Sequence, residues 1–205
     1  MIKWVYFNPN QWMATHKVAV VGAPGVGKTS LYAKFQFNHF CEDGDYSITD
    51  HDWKVLQHNQ QNQILHLSDV KRNEVEEASG KQMIRSSEAI ALIYSVSSKL
   101  SLQAAEDLVP IIRTIKDSDD YIPLVLVGNK CDLHEEREVS FAEGEQLAKS
   151  LNCPFHETSA KQDTNVEVMF LSLLTEILNE ETKREGKKMR DRNNRNSAKK
   201  ECIIN

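Results

Sequence analysis

Lys17-Val18-Ala19-Val20-Val21-Gly22-Ala23-Pro24-Gly25-Val26-Gly27-Lys28-Thr29-Ser30 is the stretch on which the reading of the fold turns. Its opening KVAVV is a short apolar run closed by a glycine, the pattern of a buried strand. Gly22 to Thr29 then satisfies GxxxxGK[ST], and residues 28–38 place Leu31, Phe35 and Phe37 at spacings compatible with a helix. Strand, glycine loop and helix in that order let the loop backbone curl so that its N–H groups point at phosphate oxygens. The positive end of the helix adds to the attraction. Gly22, Gly25, Val26, Gly27, Lys28, Thr29 and Ser30 are therefore the phosphate-binding candidates. Lys28 is placed to neutralise the β- and γ-phosphates and the Thr29 hydroxyl to bind Mg²⁺. The motif leaves the base unspecified.

Outward from this loop the chain alternates. Residues 52–58 and 63–68 read as two strands around a polar turn, Asn59-Gln60-Gln61-Asn62. AIALIYSV at 89–96 is a central buried strand, followed by a helix from about Ser101 in which Pro110 predicts a kink or break. PLVLVG at 123–128 is a further buried strand. Ser140 with Glu143, and Thr164 with Glu167, fit capping boxes opening two more helices. This order predicts an α/β fold, an open, mainly parallel sheet with helices on both faces. Its chemistry belongs in the loops at the carboxyl ends of the strands.

Asn129-Lys130-Cys131-Asp132 closes one such strand. A carboxylate there can accept two hydrogen bonds, from the N1–H and the 2-amino group of guanine. Adenine offers no such pair and would leave a buried carboxylate unmatched. Asp132 thus points to guanine.

With these motifs in view, the chain resembles the Ras-like small GTPases over roughly residues 16–180. GAPGVGKTS is similar to their phosphate loop, NKCD to their guanine-specificity loop, and Glu157-Thr158-Ser159-Ala160-Lys161 to their last nucleotide loop. The resemblance implies a P-loop G-domain with a six-stranded sheet, binding GTP or GDP with Mg²⁺. It implies that Asp132 reads guanine, that Asn129 braces the loops and that the Lys130 and Lys161 stems flank the base. Ser159 and Ala160 would add main-chain contacts. Phe40 matches the family aromatic that packs edge-on over the base, or else packs on the core at a helix end. Tyr46-Ser47-Ile48-Thr49 resembles the first switch, where Thr49 would close on Mg²⁺ and the γ-phosphate; as an ordinary residue it would simply begin a strand. This loop is two residues longer than the commonest family spacing.

The second switch departs most. Where the family has Asp-x-x-Gly-Gln, this chain has Asp69-Val70-Lys71-Arg72-Asn73. Asp69 remains to hold Mg²⁺, giving Thr29, Thr49 and Asp69 as the metal set. Arg72 replaces the glycine whose N–H senses the γ-phosphate. Asn73, one methylene shorter, replaces the glutamine that orients water. Positioning supplies most of the rate in phosphoryl transfer, so Lys28, Thr49 and Asn73 make a catalytic set that predicts slow hydrolysis. Pro24, where the family usually has glycine, removes one N–H donor.

The 205 residues carry a net charge of −5, with 40% hydrophobic residues and 8 Gly and 5 Pro. That is one domain with extensions, and not a basic nucleic-acid binder. No apolar run approaches a membrane-spanning length, and the amino terminus does not read as a secretory signal. The four cysteines, Cys41, Cys131, Cys153 and Cys202, lack a framework spacing and read as free thiols. The seven histidines form no zinc motif. Lys183 to Lys200 holds nine basic and two acidic residues, a net +7 that leaves −12 on the other 187. The division is an N-terminal extension at 1–15, the G-domain at 16–182 and a basic, disordered tail at 183–205. The tail ends in Cys202-Ile203-Ile204-Asn205, a C-a-a-X terminus. A prenyl group on Cys202 plus the basic patch would anchor a monomer to the cytoplasmic face of a membrane, with the plasma membrane expected.

Three readings compete: a signalling switch whose GTP and GDP states select effectors and respond to exchange factors and activating proteins, a non-hydrolysing GTP-binding scaffold, and a P-loop kinase or ATPase. Asp132 disfavours the last.

Overall fold

The computed structural model describes residues 13–40, 53–71, 74–117 and 121–201, with side chains as far as Arg190 and at Arg192. Thr49, Arg72, Asn73 and Cys202 lie outside the described residues. The elements run β1 (Thr15–Gly22), α1 (Lys28–Phe37), β2 (Trp53–His58), β3 (Gln61–Lys71), α2 (Ala78–Ser86), β4 (Ala89–Ser95), α3 (Lys99–Ile115), β5 (Leu124–Asn129), α4 (Phe141–Leu151), β6 (Phe155–Thr158) and α5 (Val166–Glu201). Six strands form one sheet in the order β2-β3-β1-β4-β5-β6. β2 is antiparallel to β3 and every other pairing is parallel. The α/β, six-stranded expectation holds.

Strand alternation builds two cores. On β1, Val18 and Val20 face one side while Ala19 and Val21 face the other. Val18 and Val20 join Leu31 and Phe35 of α1 and Met169, Phe170, Leu173 and Ile177 of α5. Phe35 stacks on Phe170 with ring centroids 3.9 Å apart. Ala19 and Val21 join Ile84 of α2, Leu108 and Ile112 of α3 and Leu147 of α4. β4 and the Val18–Val21 half of β1 are almost continuously apolar because both their faces are covered.

Several local expectations are corrected. The hairpin turn is two residues, not four: Asn59 and Gln60 both take positive φ, of 47° and 66°, while Gln61 and Asn62 already pair in β3. α2 has no counterpart in the sequence reading; only Gly80 and Ile84 are buried in it, too few to show a period. β1 begins at Thr15, one residue before the expected domain start. α3 is not broken at Pro110. Pro110 lies on its exposed side, where water can serve the freed carbonyl, while Leu108, Val109 and Ile112 hold the other face to the core. The capping box Ser140–Glu143 forms, with Glu143 held down to about 2 by Lys99 and by Ser140. The one expected at Thr164 does not head α5: Thr164 exchanges backbone hydrogen bonds with Ser159, and the helix starts at Val166.

The largest correction is the tail. The backbone is helical through Glu201, so residues 183–201 continue α5 where disorder was expected. Judged by composition, this segment would have to nucleate by itself. Here residues 166–177 are already packed, and each further residue adds a hydrogen bond to an existing helix. Arg184 pairs with Glu180 at 3.0 Å, and Lys183 lies 5.1 Å from the centre of the Tyr121 ring. Residues 183–190 are exposed on every side.

Gly144 in α4 shows how tightly the second core closes. A Cβ there would come within 2.3 Å of Tyr94 Oη and 2.5 Å of Phe155 Cζ. Tyr94 cannot retreat, because a Cβ built on Gly128 would also lie 2.7 Å from the same hydroxyl. Gly→Ala inside a helix ordinarily stabilises by up to about 1 kcal/mol. At Gly144 overpacking of about 1–3 kcal/mol reverses the sign. Chemical denaturation of Gly144→Ala should therefore show a loss of stability with an unchanged m-value; a gain would contradict this packing.

Candidate functional site

The site is built from the carboxyl edge of the sheet. Gly22 ends β1 and pairs in register with Lys71 of β3 and Ile93 of β4; Ser95 faces Asn129, and Asn129 faces Thr158. Three loops that are distant in sequence thus leave the sheet side by side.

The first loop turns through Gly25 at φ 76° and Gly27 at φ 93°, conformations that side chains rarely adopt. Gly27 is also hemmed in: a Cβ there would stand 2.4 Å from Asn129 Nδ2. α1 starts directly after it, so the N–H groups of its first turn open towards the loop. Lys28 is buried, and its ammonium donates to the Gly22 and Ala23 carbonyls at 2.9 and 3.0 Å. Burial pulls its pKa down, against the attraction of Asp69. Thr29 Oγ1 donates to Asp69 Oδ2 at 3.2 Å. Asp69 Oδ1 is buried with no hydrogen-bond partner among the described residues. Burial raises the Asp69 pKa, against Lys28 and Thr29. A hydroxyl and an unsatisfied carboxylate oxygen, both hard oxygen donors beside a phosphate loop, fit a Mg²⁺ ion.

The second and third loops are locked to the first by Asn129, which is 1% exposed. Its Nδ2 donates to the Val26 carbonyl at 2.9 Å, and its Oδ1 accepts from Thr158 Oγ1 at 3.1 Å. Lys130 takes φ 65°, turning the chain so that Cys131 N–H donates to the Thr158 carbonyl. Asp132 is half-buried. Ser159 and Ala160 are buried, and Ser159 Oγ accepts from Gln162 N–H at 3.0 Å. Lys161 is exposed at the rim. Phe40 is partly buried and packs against the first core.

Two supports were not legible in the sequence. Arg137 grips Glu157 through two hydrogen bonds of 2.6 and 2.9 Å, tying the loop after β5 to β6. Lys34 of α1 pairs with Asp163 at 3.2 Å, joining the helix after the first loop to the third loop. Thr158 enters the sequence reading only inside a motif; its burial at 0% and its bond to Asn129 make it part of the brace.

A model of the Ras family matches residues 17–179. The chain is also 42% identical over 159 residues to Ras-like protein 1 of Saccharomyces cerevisiae, a match covering 78% of this chain and 51% of that protein. It thus spans about half the length of that curated relative.

Asn129→Ala removes two buried hydrogen bonds and leaves the Val26 carbonyl and Thr158 hydroxyl unmatched. The expected loss is about 2–4 kcal/mol in urea denaturation. A variant as stable as the parent would show that the three loops do not depend on this amide.

Proposed function

The chain belongs to the Ras family of small GTPases, and on that premise we propose that it is a Mg²⁺-dependent GTP/GDP switch in signal transduction that hydrolyses GTP slowly. What most directly supports the reading is the Thr29–Asp69 pair, with Asp69 Oδ1 buried and unpartnered beside the phosphate loop.

Bound Mg²⁺ supplies positive charge that offsets the charge building on the β- and γ-phosphate oxygens. The chain's residues do the rest. The backbone N–H groups from Gly25 to Ser30 receive the phosphates. Lys28 exchanges the Gly22 and Ala23 carbonyls for phosphate oxygens, replacing two neutral acceptors with charged ones. Asp132 accepts from the guanine edge while Asn129, Lys130, Ser159, Ala160 and Lys161 hold the base pocket. In the Ras-like pattern Thr49 would close the first switch on Mg²⁺ and the γ-phosphate. Asn73 orients water poorly because its amide is one methylene short, and Arg72 lacks the backbone freedom of the glycine usual there.

The same reading extends to the membrane. A prenyl group on Cys202, together with the cations of 183–200, anchors a monomer to an anionic cytoplasmic leaflet, expected to be the plasma membrane. α5 is helical through Glu201, so the basic segment continues the last helix of the domain. Effectors, exchange factors and activating proteins are the protein partners of such a switch.

One purified sample tests the switch against its competitors. Bound guanine nucleotide should resist excess ATP, and single-turnover hydrolysis should be measurable but slower than that of an ordinary family member. No hydrolysis at all would support a GTP-binding scaffold, and displacement by ATP a kinase or ATPase. Lys28→Ala should abolish tight nucleotide binding; retention would overturn the phosphate-loop assignment. Mass spectrometry of protein from its native cells should find a prenyl group on Cys202, and an unmodified Cys202 in soluble protein would remove the anchor.

A further inference from the structure

The opposite end of the sheet holds a second polar cluster that takes no part in the nucleotide loops. His16 stands near the start of β1 and is 2% exposed. Its Nδ1 lies 2.9 Å from Glu88 Oε2 and its Nε2 3.3 Å from Gln63 Oε1. Glu181, exposed on α5, faces the same point: the ligating atoms of His16, Glu88 and Glu181 all lie within 4.8 Å of one another. The three residues come from β1, the approach to β4, and α5.

Two features distinguish this from a chance gathering of acids. Glu88 is aimed, because its Oε1 accepts from Lys17 N–H at 3.0 Å and its own N–H donates to the Lys17 carbonyl, leaving Oε2 for His16. His16 is aimed as well. With Gln63 Oε1 accepting from Nε2–H, Nδ1 is turned to the carboxylates, the outer hydrogen bond that metal-binding imidazoles characteristically make. A cleft of about 390 Å³ has Glu88 and Glu181 in its wall, so an ion would approach from the carboxylate side, with His16 buried behind them. Of the cations in that wall, Arg184 pairs with Glu180 at 3.0 Å and Arg85 donates to the Ile115 carbonyl, while Lys116 donates to the Ser87 carbonyl and attracts Glu88, an attraction that an incoming ion has to outcompete.

We infer that His16, Glu88 and Glu181 form a site for a zinc-class divalent ion, separate from the Mg²⁺ position at the phosphate loop. One imidazole nitrogen and two carboxylate oxygens with a fourth position open to water suit Zn²⁺. Bonds of about 2.0–2.2 Å set tetrahedral ligand atoms about 3.4 Å from one another, so the His16–Glu88 pair, now 2.9 Å apart, must open slightly while Glu181 draws in. Glu181, being exposed, is the residue placed to move. Without metal, the hydrogen bond to Glu88 raises the imidazole pKa, against the opposing effect of burial. A metal ion takes the place of the Nδ1 proton. It would clamp α5 to the base of the sheet just beyond Ile177, which is packed in the core, at the root of the basic extension.

The full chain, equilibrated with Zn²⁺ in Mg²⁺-containing buffer and dialysed, tests this by metal content and thermal unfolding. The parent should retain one more Zn²⁺ than Glu181→Gln, and zinc should raise the unfolding midpoint of the parent alone. His16→Gln should behave as Glu181→Gln does; if it fails to fold, the exposed Glu181→Gln variant decides by itself. Zinc held by cysteines is common to both proteins and cancels. Equal zinc content and equal midpoints in parent and Glu181→Gln would overturn the site and leave the His16–Glu88 hydrogen bond a clamp only.

Discussion

The buried carboxamide of Asn129 is the interaction on which the functional edge depends. It donates to Val26 in the first loop and accepts from Thr158 at the start of the third, while its own backbone ends β5. The strands beneath arrive in register, but register alone leaves loops independent. The amide couples them, and it is worth more than two surface hydrogen bonds because neither partner has water to fall back on. Gly27 is the complement of this arrangement. Its missing Cβ is the space that Asn129 Nδ2 occupies.

Against this braced frame stands a pair of buried charges at odds with their surroundings. Lys28 is pulled down and Asp69 pushed up, each by burial. Lys28 is reduced to backbone carbonyls as acceptors, and one Asp69 oxygen has no partner among the described residues. Such groups are costly in the protein alone and become favourable when an anion meets the lysine and a hard cation the carboxylate. A rigid frame holding unsatisfied charges is the physical form of an affinity for a phosphate with its metal.

Much of this is legible in residue order. The phosphate loop is read from eight consecutive residues, because glycines, lysine and threonine act there through one local turn. NKCD and the buried strands before each loop are equally local. Composition misreads the α5 extension because it describes a segment alone, whereas a helix already packed over 166–177 lends its nucleus to the residues beyond it. Pro110 misleads for a related reason, since tertiary packing of its neighbours outweighs one lost hydrogen bond on the solvent side.

The sequence by itself determined the strand–loop–helix phosphate-loop motif, the NKCD motif after β5, the α/β class and the charge split between body and tail. Each rests on spacing within a few residues, and short-range spacing survives in a one-dimensional string. Only the tertiary structure decided the joints: Asn129 on Val26, 103 residues away, Arg137 on Glu157, and His16 on Glu88, 72 residues away. The resemblance implies that Asn129 braces loops, but which atom each of these side chains meets leaves no mark in the sequence, because the partners are brought together by the register of parallel strands and the packing of helices across them.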